Sequence, residues 1–275
     1  MKTNFFNRLG LAALSLAVFL AVTGQGALFA GGRKAAETAP EQNEPATILA
    51  AAAASLKNAY EEELIPQFQA KYPWITVTGT YDSSGRLQTQ IENGLEADVF
   101  MSAAVRQMDA LVDGGYIERS AVDNLLQNKL VLIRPSDATT TVTGFADITR
   151  AKTVAIGDPK SVPAGQYAEE ALKKLGIWDK LPETSKSLGT NVTEVLSWVG
   201  NGSAEVGIVY ATDAASTGKV TVIETLADGV LSAPVIYPVA VLKNAPQPEA
   251  AQLFVDFLAS DAGLAVFQKY GFSRN

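Results

Sequence analysis

The chain has 275 residues, a formal charge of −7 and neither cysteine nor histidine. The two missing residue types exclude disulfides, zinc sites of the Cys/His type, iron–sulfur clusters, and Ser-His-Asp or Cys-His catalytic sites. The acidic balance makes the chain a poor electrostatic partner for nucleic acid, and an apolar content of 47% is typical of a folded protein.

Residues 1–30 have the pattern of a secretory signal peptide. Basic residues without any acid precede an apolar run from Leu9 to Val22, and small residues follow up to Ala30. That run is shorter than the roughly 20 residues that a membrane-spanning helix needs. Because a lipoprotein anchor needs a cysteine at the cleavage site, we expect a protein that is free in a periplasm. Residues 31–46 are polar, with Gly and Pro, and are expected to form a flexible lead-in.

Strands and helices alternate through the first half of the mature chain. Apolar runs and alternating patterns predict strands over 47–54, 75–78, 97–102 and 129–134, and helical spacing predicts helices over 55–68, 84–93 and 105–112. Pro66 is expected to kink or restart the first helix. Gly79 interrupts its strand and is expected to mark a bulge or the close approach of a ligand or neighbouring backbone.

The same alternation continues in the second half. Strands are predicted over 153–157, 205–210, 220–225 and 235–242, and helices over 163–175, 191–199, 248–258 and 261–269. Repeated strand–helix units predict an α/β fold in which mostly parallel sheets are flanked by helices, and the chain length suggests two lobes. Ligands in such folds bind beyond the carboxyl ends of the strands.

Five junctions at predicted strand ends carry hydrogen-bond donors. They are Ser55 after the alanine run, residues 81–85 (YDSSG), 157–165 (GDPKSVPAG) and 189–192 (GTNV), and Tyr210 at the end of an apolar strand. The first four also offer the positive end of a helix dipole. Donors without an evident catalytic base favour a receptor for an anion over a catalytic centre.

Each junction also has an ordinary structural explanation. Ser55, Ser84 and either Thr190 or Asn191 could serve only as helix N-caps. Asp158 and Pro159 could form only a turn, and Tyr210 could be a core tyrosine with one bonded hydroxyl. The case for an anion site therefore depends on the five junctions occurring together.

Seven segments carry a resemblance to a known family. They are AAASLKNA (52–59), DSSGRLQTQIENGLEADVFMSA (82–103), GDPKSVPAGQYAEEALKKLGIWD (157–179), NVTEVLSWV (191–199), EVGIVYATDA (205–214), YPVAV (237–241) and FQKYGF (267–272). With these segments in order, the mature chain resembles the periplasmic molybdate-binding proteins of ABC importers. VPAG-x-YA and GIVYATDA are the more specific pieces, whereas AAASL and SSG also occur in other oxyanion-binding proteins.

The resemblance implies a two-lobe type II periplasmic-binding fold with the ligand in the cleft between the lobes. Lobe 1 would comprise 47–128 and 231–275, and lobe 2 would comprise 129–230. Closure of the lobes about a hinge would complete the site and present the form that a permease recognises.

The resemblance also implies which residues bind. Ser55 and Ser84 would contribute hydroxyls, Ala164 and Val192 backbone N–H groups, and Tyr210 its phenol. Molybdenum would be bound only as its oxyanion through these same residues, so the chain would have no resident cofactor and no catalytic residues. The expected protein is a monomeric solute-binding protein that delivers molybdate, and tungstate with it, to the permease of an ABC importer in the inner membrane. The alternatives are a binding protein for another oxyanion such as sulfate or for a ferric complex, an enzyme on a similar two-lobe fold, and a purely structural envelope protein.

One position departs from the family pattern. Asp82 stands where family members often have a small neutral residue, and a carboxylate there would repel an anion. We expect Asp82 to face solvent or to pair with Arg86, unless Arg86 itself reaches the anion. Ser83 is an alternative to Ser84 as the contacting hydroxyl.

Overall fold

The computed structural model describes residues 44–275, so the predicted signal peptide and nearly all of the predicted lead-in lie outside the described residues. The strands are β1 (Ala46–Ala53), β2 (Ile75–Asp82), β3 (Val99–Met101), β4 (Asp123–Asn128), β5 (Leu130–Pro135), β6 (Val154–Gly157), β7 (Lys186–Gly189), β8 (Val206–Tyr210), β9 (Val220–Thr225), β10 (Val235–Val241) and β11 (Ser273–Arg274). The helices are α1 (Lys57–Ala59), α2 (Ile65–Lys71), α3 (Ser84–Glu92), α4 (Val105–Asp113), α5 (Pro163–Lys174), α6 (Val192–Gly200), α7 (Ala211–Ala215), α8 (Pro248–Ala259) and α9 (Asp261–Lys269).

The first helical segment is continuous from residue 54 to residue 71 but changes its winding. A 3₁₀ turn (Ala54–Leu56) leads into α1, a π-helical turn (Tyr60–Leu64) follows, and α2 completes the segment. Pro66 lies in the first turn of α2, directly after the π-helical turn, and has no N–H to donate to the preceding turn. The helix was predicted to kink or restart at Pro66; it continues through this point, and its winding changes from π to α one residue before the proline.

The strands form two sheets. The first has six strands in the order β11-β4-β10-β3-β1-β2, and the second has five in the order β7-β6-β8-β5-β9. In the first sheet β1 lies parallel to both β2 and β3, and in the second β6 lies parallel to both β7 and β8. Helices flank both sheets, and the α/β class is confirmed.

The pairing departs from the expectation of mostly parallel sheets. The β10 strand runs antiparallel to β3 and β4, and β5 runs antiparallel to β8 and β9. The physical reason is the path of the chain. The chain leaves the first sheet at Asn128 and enters the second at Leu130, then leaves at Thr225 and returns at Val235. Strands next to these crossings run against their neighbours.

Several elements differ from the predictions. The strands β4 and β7 and the short helix α7 have no counterpart among the predicted elements, and β3 is shorter than the predicted strand over 97–102. Gly79 forms no bulge, because the β1–β2 register passes regularly through it opposite Ala50. A methyl group on Gly79 would instead collide with the ring of Tyr81.

An aromatic cluster joins the first helical segment to α8. Phe68 and Phe254 are fully buried, with ring centroids 4.9 Å apart, and Tyr60 lies 5.8 Å from Phe254. These large apolar side chains hold the helices against the first sheet. Within residues 44–275 no single helix is both long and apolar enough to cross a membrane, and only α8 and α9 together, bent by 61° at their junction, reach that length and apolarity.

Candidate functional site

All five predicted binding residues line one small cavity between the two sheets. Its empty volume is about 200 Å³, and it is surrounded by the ends of β1, β2 and β8 and by the first turns of α3, α5 and α6. The lining residues are Ala53, Ala54, Ser55, Asp82, Ser83, Ser84, Ala103, Val162, Pro163, Ala164, Val192 and Tyr210. The structure thus brings together residues that are up to 155 positions apart between Ser55 and Tyr210.

Ser55 follows β1 in the 3₁₀ turn. It does not act as an N-cap, because that position belongs to Ala53 and no side chain caps the turn. Its hydroxyl oxygen lies 2.9 Å from the phenol oxygen of Tyr237, a buried residue of β10. The two hydroxyls form a hydrogen bond, and Tyr237 itself is not part of the cavity lining.

Ser84 is the first residue of α3, and its neighbour Ser83 occupies the N-cap position without a capping bond from its side chain. The Oγ atom of Ser84 accepts a hydrogen bond from the N–H of Ala103 at 2.9 Å. The proton of that hydroxyl therefore stays available to a ligand. Among the described residues the Oγ atom of Ser83 has no hydrogen-bond partner, although its residue is 3% exposed. Both serines line the cavity, so the structure leaves both alternatives in place.

Ala164 lies at the second position of α5, after Pro163. The first N–H groups of a helix have no partner within the helix, and this end of α5 is directed at the cavity. Gly165 makes the close approach of α5 to β6 feasible, since a methyl group there would overlap the carbonyl oxygen of Gly157. The predicted turn before the helix is present, with the N–H groups of Ser161 and Val162 donating to the carbonyl of Asp158 at 3.0 and 2.8 Å.

Val192 opens α6, and the ordinary explanation for its neighbour is correct. The side chain of Asn191 caps the helix by accepting a hydrogen bond from the N–H of Glu194 at 3.0 Å. The hydroxyl of Thr190 donates to the Glu194 carboxylate at 2.9 Å. These side chains are committed to the cap, so the backbone N–H of Val192 is the donor that α6 offers to the cavity.

Tyr210 ends β8 and is 1% exposed. Its phenol donates a long hydrogen bond of 3.4 Å to the carbonyl of Ala103, and its backbone N–H donates to the Asp213 carboxylate at 3.1 Å. Burial, with smaller contributions from Tyr237, Tyr167 and Asp213, raises the pKa of the Tyr210 phenol well above its usual range. The phenol therefore remains a neutral hydrogen-bond donor at physiological pH.

Asp82 is the one carboxylate on the lining of the cavity. One of its oxygens accepts the N–H of Ser83 at 2.7 Å, and the other pairs with Arg86 at 3.4 Å. The expectation that Asp82 pairs with Arg86 is confirmed. No Lys or Arg of the described chain is part of the lining, so the partial positive charge that faces the cavity is that of the helix N-termini.

Sequence reasoning missed the residues that support the five. Tyr237 bonds the hydroxyl of Ser55 and is itself bonded by Asn128, and the N–H of Ala103 bonds the hydroxyl of Ser84. Tyr237 stood within a recognised motif, and the signal that could have identified it is a polar tip within an otherwise apolar strand. Asn128 had no such signal, because its partners Thr212 and Tyr237 lie 84 and 109 positions away in the sequence.

Comparisons with known proteins agree with this geometry. Residues 48–273 match the family described as bacterial extracellular solute-binding protein. YvgL of Bacillus subtilis, which is named as an ABC transporter substrate-binding lipoprotein, is 36% identical over 247 residues, covering 90% of this chain and 94% of the relative. The molybdate-binding protein ModA of Escherichia coli is 35% identical over 229 residues, covering 81% of this chain and 87% of the relative.

Solved structures share the fold. A substrate-binding domain of a molybdenum ABC transporter from Clostridium difficile superposes with a TM-score of 0.64 at 35% identity, over 84% of this chain and 99% of that one. The sulfate-binding protein SubI of Mycobacterium tuberculosis superposes with a TM-score of 0.73 over 82% of this chain and 86% of that one, but at 17% identity, so it supports the fold alone. The two-lobe binding-protein fold is confirmed, and the chain belongs to the bacterial extracellular solute-binding proteins, which serve ABC transporters and are not enzymes.

Proposed function

We propose that the protein captures molybdate, and tungstate with it, in the cavity between the sheets and delivers the anion to the permease of an ABC importer. The observation that carries this proposal is the convergence of neutral donors on one small cavity from both sheets. These donors are the hydroxyls of Ser55, Ser84 and Tyr210 and the backbone N–H groups of Ala164 and Val192. Relatives named for molybdate binding support the same assignment.

The free energies expected of these hydrogen bonds are large enough for tight binding of a dianion. A dianion loses its hydration on entry, which is costly unless donors replace the water. Hydrogen bonds to charged groups contribute about 1.5–3 kcal/mol each, and five of them reach the order of the roughly 12 kcal/mol that nanomolar affinity requires. The helix N-termini add favourable dipole interactions.

Selectivity follows from the same donors. A protonated anion such as hydrogen phosphate brings a donor of its own. The one carboxylate on the lining, Asp82, already accepts the Ser83 N–H and pairs with Arg86, and a buried donor left unpaired weakens binding. Molybdate, tungstate and sulfate are all fully deprotonated at neutral pH. The exclusion of sulfate therefore depends on its smaller size in a rigid cavity.

The proposed setting includes three further parts. The location is the periplasm without a lipid anchor, although one relative is by name a lipoprotein. The lobes are residues 47–128 with 231–275, and residues 129–230. The working form is a monomer, because a protein that opens and then docks gains little from a stable interface with a second copy.

Isothermal titration of the protein with molybdate, tungstate, sulfate and phosphate tests the proposal. We expect tight one-to-one binding of the first two only. Ser84→Ala should weaken binding about tenfold or more through the loss of one charge-assisted hydrogen bond. Ser102→Ala is the matched control, because Ser102 is a buried serine whose hydroxyl bonds the carbonyl of Ala104 at 2.7 Å and does not line the cavity. Binding of sulfate without molybdate would keep the fold and overturn the choice of ligand.

A further inference from the structure

A short hydrogen-bonded chain lies behind Ser55, outside the cavity. Tyr237 is fully buried, and its phenol oxygen lies 2.9 Å from the Oγ atom of Ser55 and 3.3 Å from the Nδ2 atom of Asn128. Neither Tyr237 nor Asn128 lines the cavity. Their side chains therefore act on a ligand through residues that line the cavity, and the hydrogen bond to Ser55 is the shortest such connection.

The direction of this chain is fixed at its far end. The backbone N–H of Lys129 can only donate, and it lies 2.8 Å from the Oδ1 atom of Asn128. The other atom of the amide is therefore the nitrogen, which donates to Tyr237 and also to the Oγ1 atom of Thr212 at 2.9 Å. Because Asn128 donates to the phenol oxygen, the proton of Tyr237 is directed to Ser55.

The opposite direction would leave a buried donor without a well-placed acceptor. If Ser55 donated to Tyr237, the phenol proton would have only the Tyr210 phenol near it among residues 44–275, and that contact does not have the geometry of the bonds to Ser55 and Asn128. Buried hydroxyls are rarely left in that state. Burial raises the pKa of Tyr237 well above its usual range, so the phenol keeps its proton at neutral pH.

We propose that Asn128 and Tyr237 are positioning residues that hold the hydroxyl of Ser55 as a donor toward the anion and thereby favour fully deprotonated oxyanions. This inference rests on the proposed function. A serine hydroxyl has one proton to give. With the oxygen of Ser55 accepting from Tyr237, that proton is directed into the cavity, and hydrogen bonds in series polarise one another. The chain thus places a strengthened donor at the anion without adding a charge.

The test reverses or breaks the series of hydrogen bonds from Asn128 through Tyr237 to Ser55 with substitutions of nearly the same size. In Asn128→Asp the carboxylate accepts the phenol proton, so Tyr237 accepts from Ser55 and only lone pairs of Ser55 face the anion. In Tyr237→Phe the connection is removed, while the edge-to-face packing of the ring with Tyr210 and Phe272 is retained. Thr212→Val is the matched control, because it removes a partner of Asn128 on the branch that does not lead to Ser55.

Molybdate, tungstate, sulfate and phosphate are titrated into the wild-type chain, the three variants and the double variant Asn128→Asp/Tyr237→Phe. We expect Tyr237→Phe to weaken molybdate binding about three- to tenfold and to narrow the preference for molybdate over phosphate. Asn128→Asp should weaken it more, and most of its effect should vanish when Tyr237 is already Phe. Thermal unfolding of each variant identifies any that fails to fold. If Asn128→Asp does not fold, the preference of Tyr237→Phe for molybdate over phosphate tests the inference by itself.

Two results would overturn the inference alone. One is that Asn128→Asp lowers the affinity for molybdate equally whether residue 237 is Tyr or Phe. An added negative charge alone would produce that result. The other is an unchanged preference over phosphate in Tyr237→Phe, which a merely structural role produces. Wild-type protein that binds only sulfate would overturn the choice of ligand. The same comparison of variants with sulfate would still test the roles of Asn128 and Tyr237. Wild-type protein that binds none of the four anions would overturn the proposed function and this inference together.

Discussion

Two buried tyrosines of the same chemistry have different partners. The phenol of Tyr60 donates to the sulfur of Met101 at 3.1 Å inside the aromatic cluster and does not line the cavity. The phenol of Tyr210 lines the cavity and makes only a long bond to the carbonyl of Ala103. A weakly bonded donor at a cavity wall is the group that a ligand can recruit at little cost.

Replacing each of these tyrosines by phenylalanine separates binding from packing. Tyr210→Phe should raise the Kd for molybdate about 10- to 100-fold, because one hydrogen bond to a charged ligand contributes about 1.5–3 kcal/mol. Tyr60→Phe removes a buried hydroxyl of the same kind and should leave the Kd unchanged. Titration calorimetry measures both variants, and an equal loss of affinity in the two would contradict the assigned role of Tyr210.

Asp213 is a buried carboxylate with one backbone partner. Its Oδ2 atom accepts the N–H of Tyr210 at 3.1 Å. Burial raises the pKa of Asp213 to about 7, and the Tyr210 N–H opposes the shift. Between the usual carboxyl range and pH 7 the folded protein holds a proton that the unfolded chain has released. The free energy of unfolding therefore falls as pH rises through that window and becomes independent of Asp213 above it.

Asp213→Asn should flatten this part of the stability profile. The amide oxygen can still accept the N–H of Tyr210, while the buried group no longer ionises. From pH 5.5 to 8 the wild-type chain should lose about 2 kcal/mol more than the variant, seen as a larger drop in Tm. Asp147→Asn is the control. The pKa of Asp147 is lowered, chiefly by the hydrogen bond from the Thr143 N–H, so the contribution of Asp147 to the free energy of unfolding is lost only in acid. A variant as pH-sensitive as the wild type would show that Asp213 does not carry the effect.

At the scale of elements, the site depends on how tightly α5 approaches β6. Gly165 touches the carbonyl of Gly157 closely enough that no side chain fits between them. This contact sets the position of the helix N-terminus that presents Ala164. The local sequence Val162-Pro163-Ala164-Gly165 thus combines a helix start with the small residue that the packing requires.

Gly165→Ala should displace α5 and weaken both folding and binding. Overpacking of this kind costs about 1–3 kcal/mol, which lowers the Tm by about 2–4 °C per kcal/mol in a chain of this size. We expect the Kd for molybdate to rise about tenfold as the Ala164 N–H moves. Gly218→Ala serves as the control, because a methyl group at Gly218 meets no atom within 4 Å. A stable Gly165→Ala variant with wild-type affinity would show that the close approach is not required.

Helices with a regular apolar spacing could be predicted from the sequence, whereas two exposed polar strands could not. Helices α3, α5, α6, α8 and α9 were predicted close to their observed bounds because apolar residues repeat at helical spacing and Gly or Pro lies at their ends. The strand β4 (Asp123–Asn128) was missed because its first residues are polar and exposed. The strand β7 (Lys186–Gly189) was missed for a related reason, since no residue before Gly189 is buried.

The candidate site divides in the same way. The five junctions that supply the predicted binding residues were predictable because each lies at the end of a strand or the start of a helix, and the resemblance indicated the residue within each. The supports were not predictable, because the contact of Ser55 with Tyr237 spans 182 positions and that of Asn128 with Tyr237 spans 109. Such pairs depend on strand order and register, which no local pattern encodes.

At the scale of the whole molecule, two contacts join the halves of the fold across the site. The N–H of Gly85 in α3 donates to the carbonyl of Ser161, just before α5, at 3.0 Å. The side chain of Gln107 in α4 donates to that of Gln166 in α5 at 3.1 Å. In each pair, one residue comes from an element beside the first sheet and the other from an element beside the second sheet. The first contact lies beside Ser84 and Val162, so it depends on the same approach of the lobes that assembles the cavity.

Gly85→Ala should hold the lobes apart. A methyl group at Gly85 would lie far inside van der Waals contact of the Ser161 backbone, and backbone atoms cannot move aside as a flexible side chain does. Alanine also favours the helix α3 itself, so the fold of each lobe should be preserved. Small-angle scattering at saturating molybdate should show compaction of the wild type and a smaller or absent change in the variant, with weaker binding. Gln90→Ala, on the exposed face of the same helix, should behave as the wild type. Full compaction of Gly85→Ala would show that ligand-induced closure does not require this contact, because the lobes would then meet without the close approach seen at Ser161.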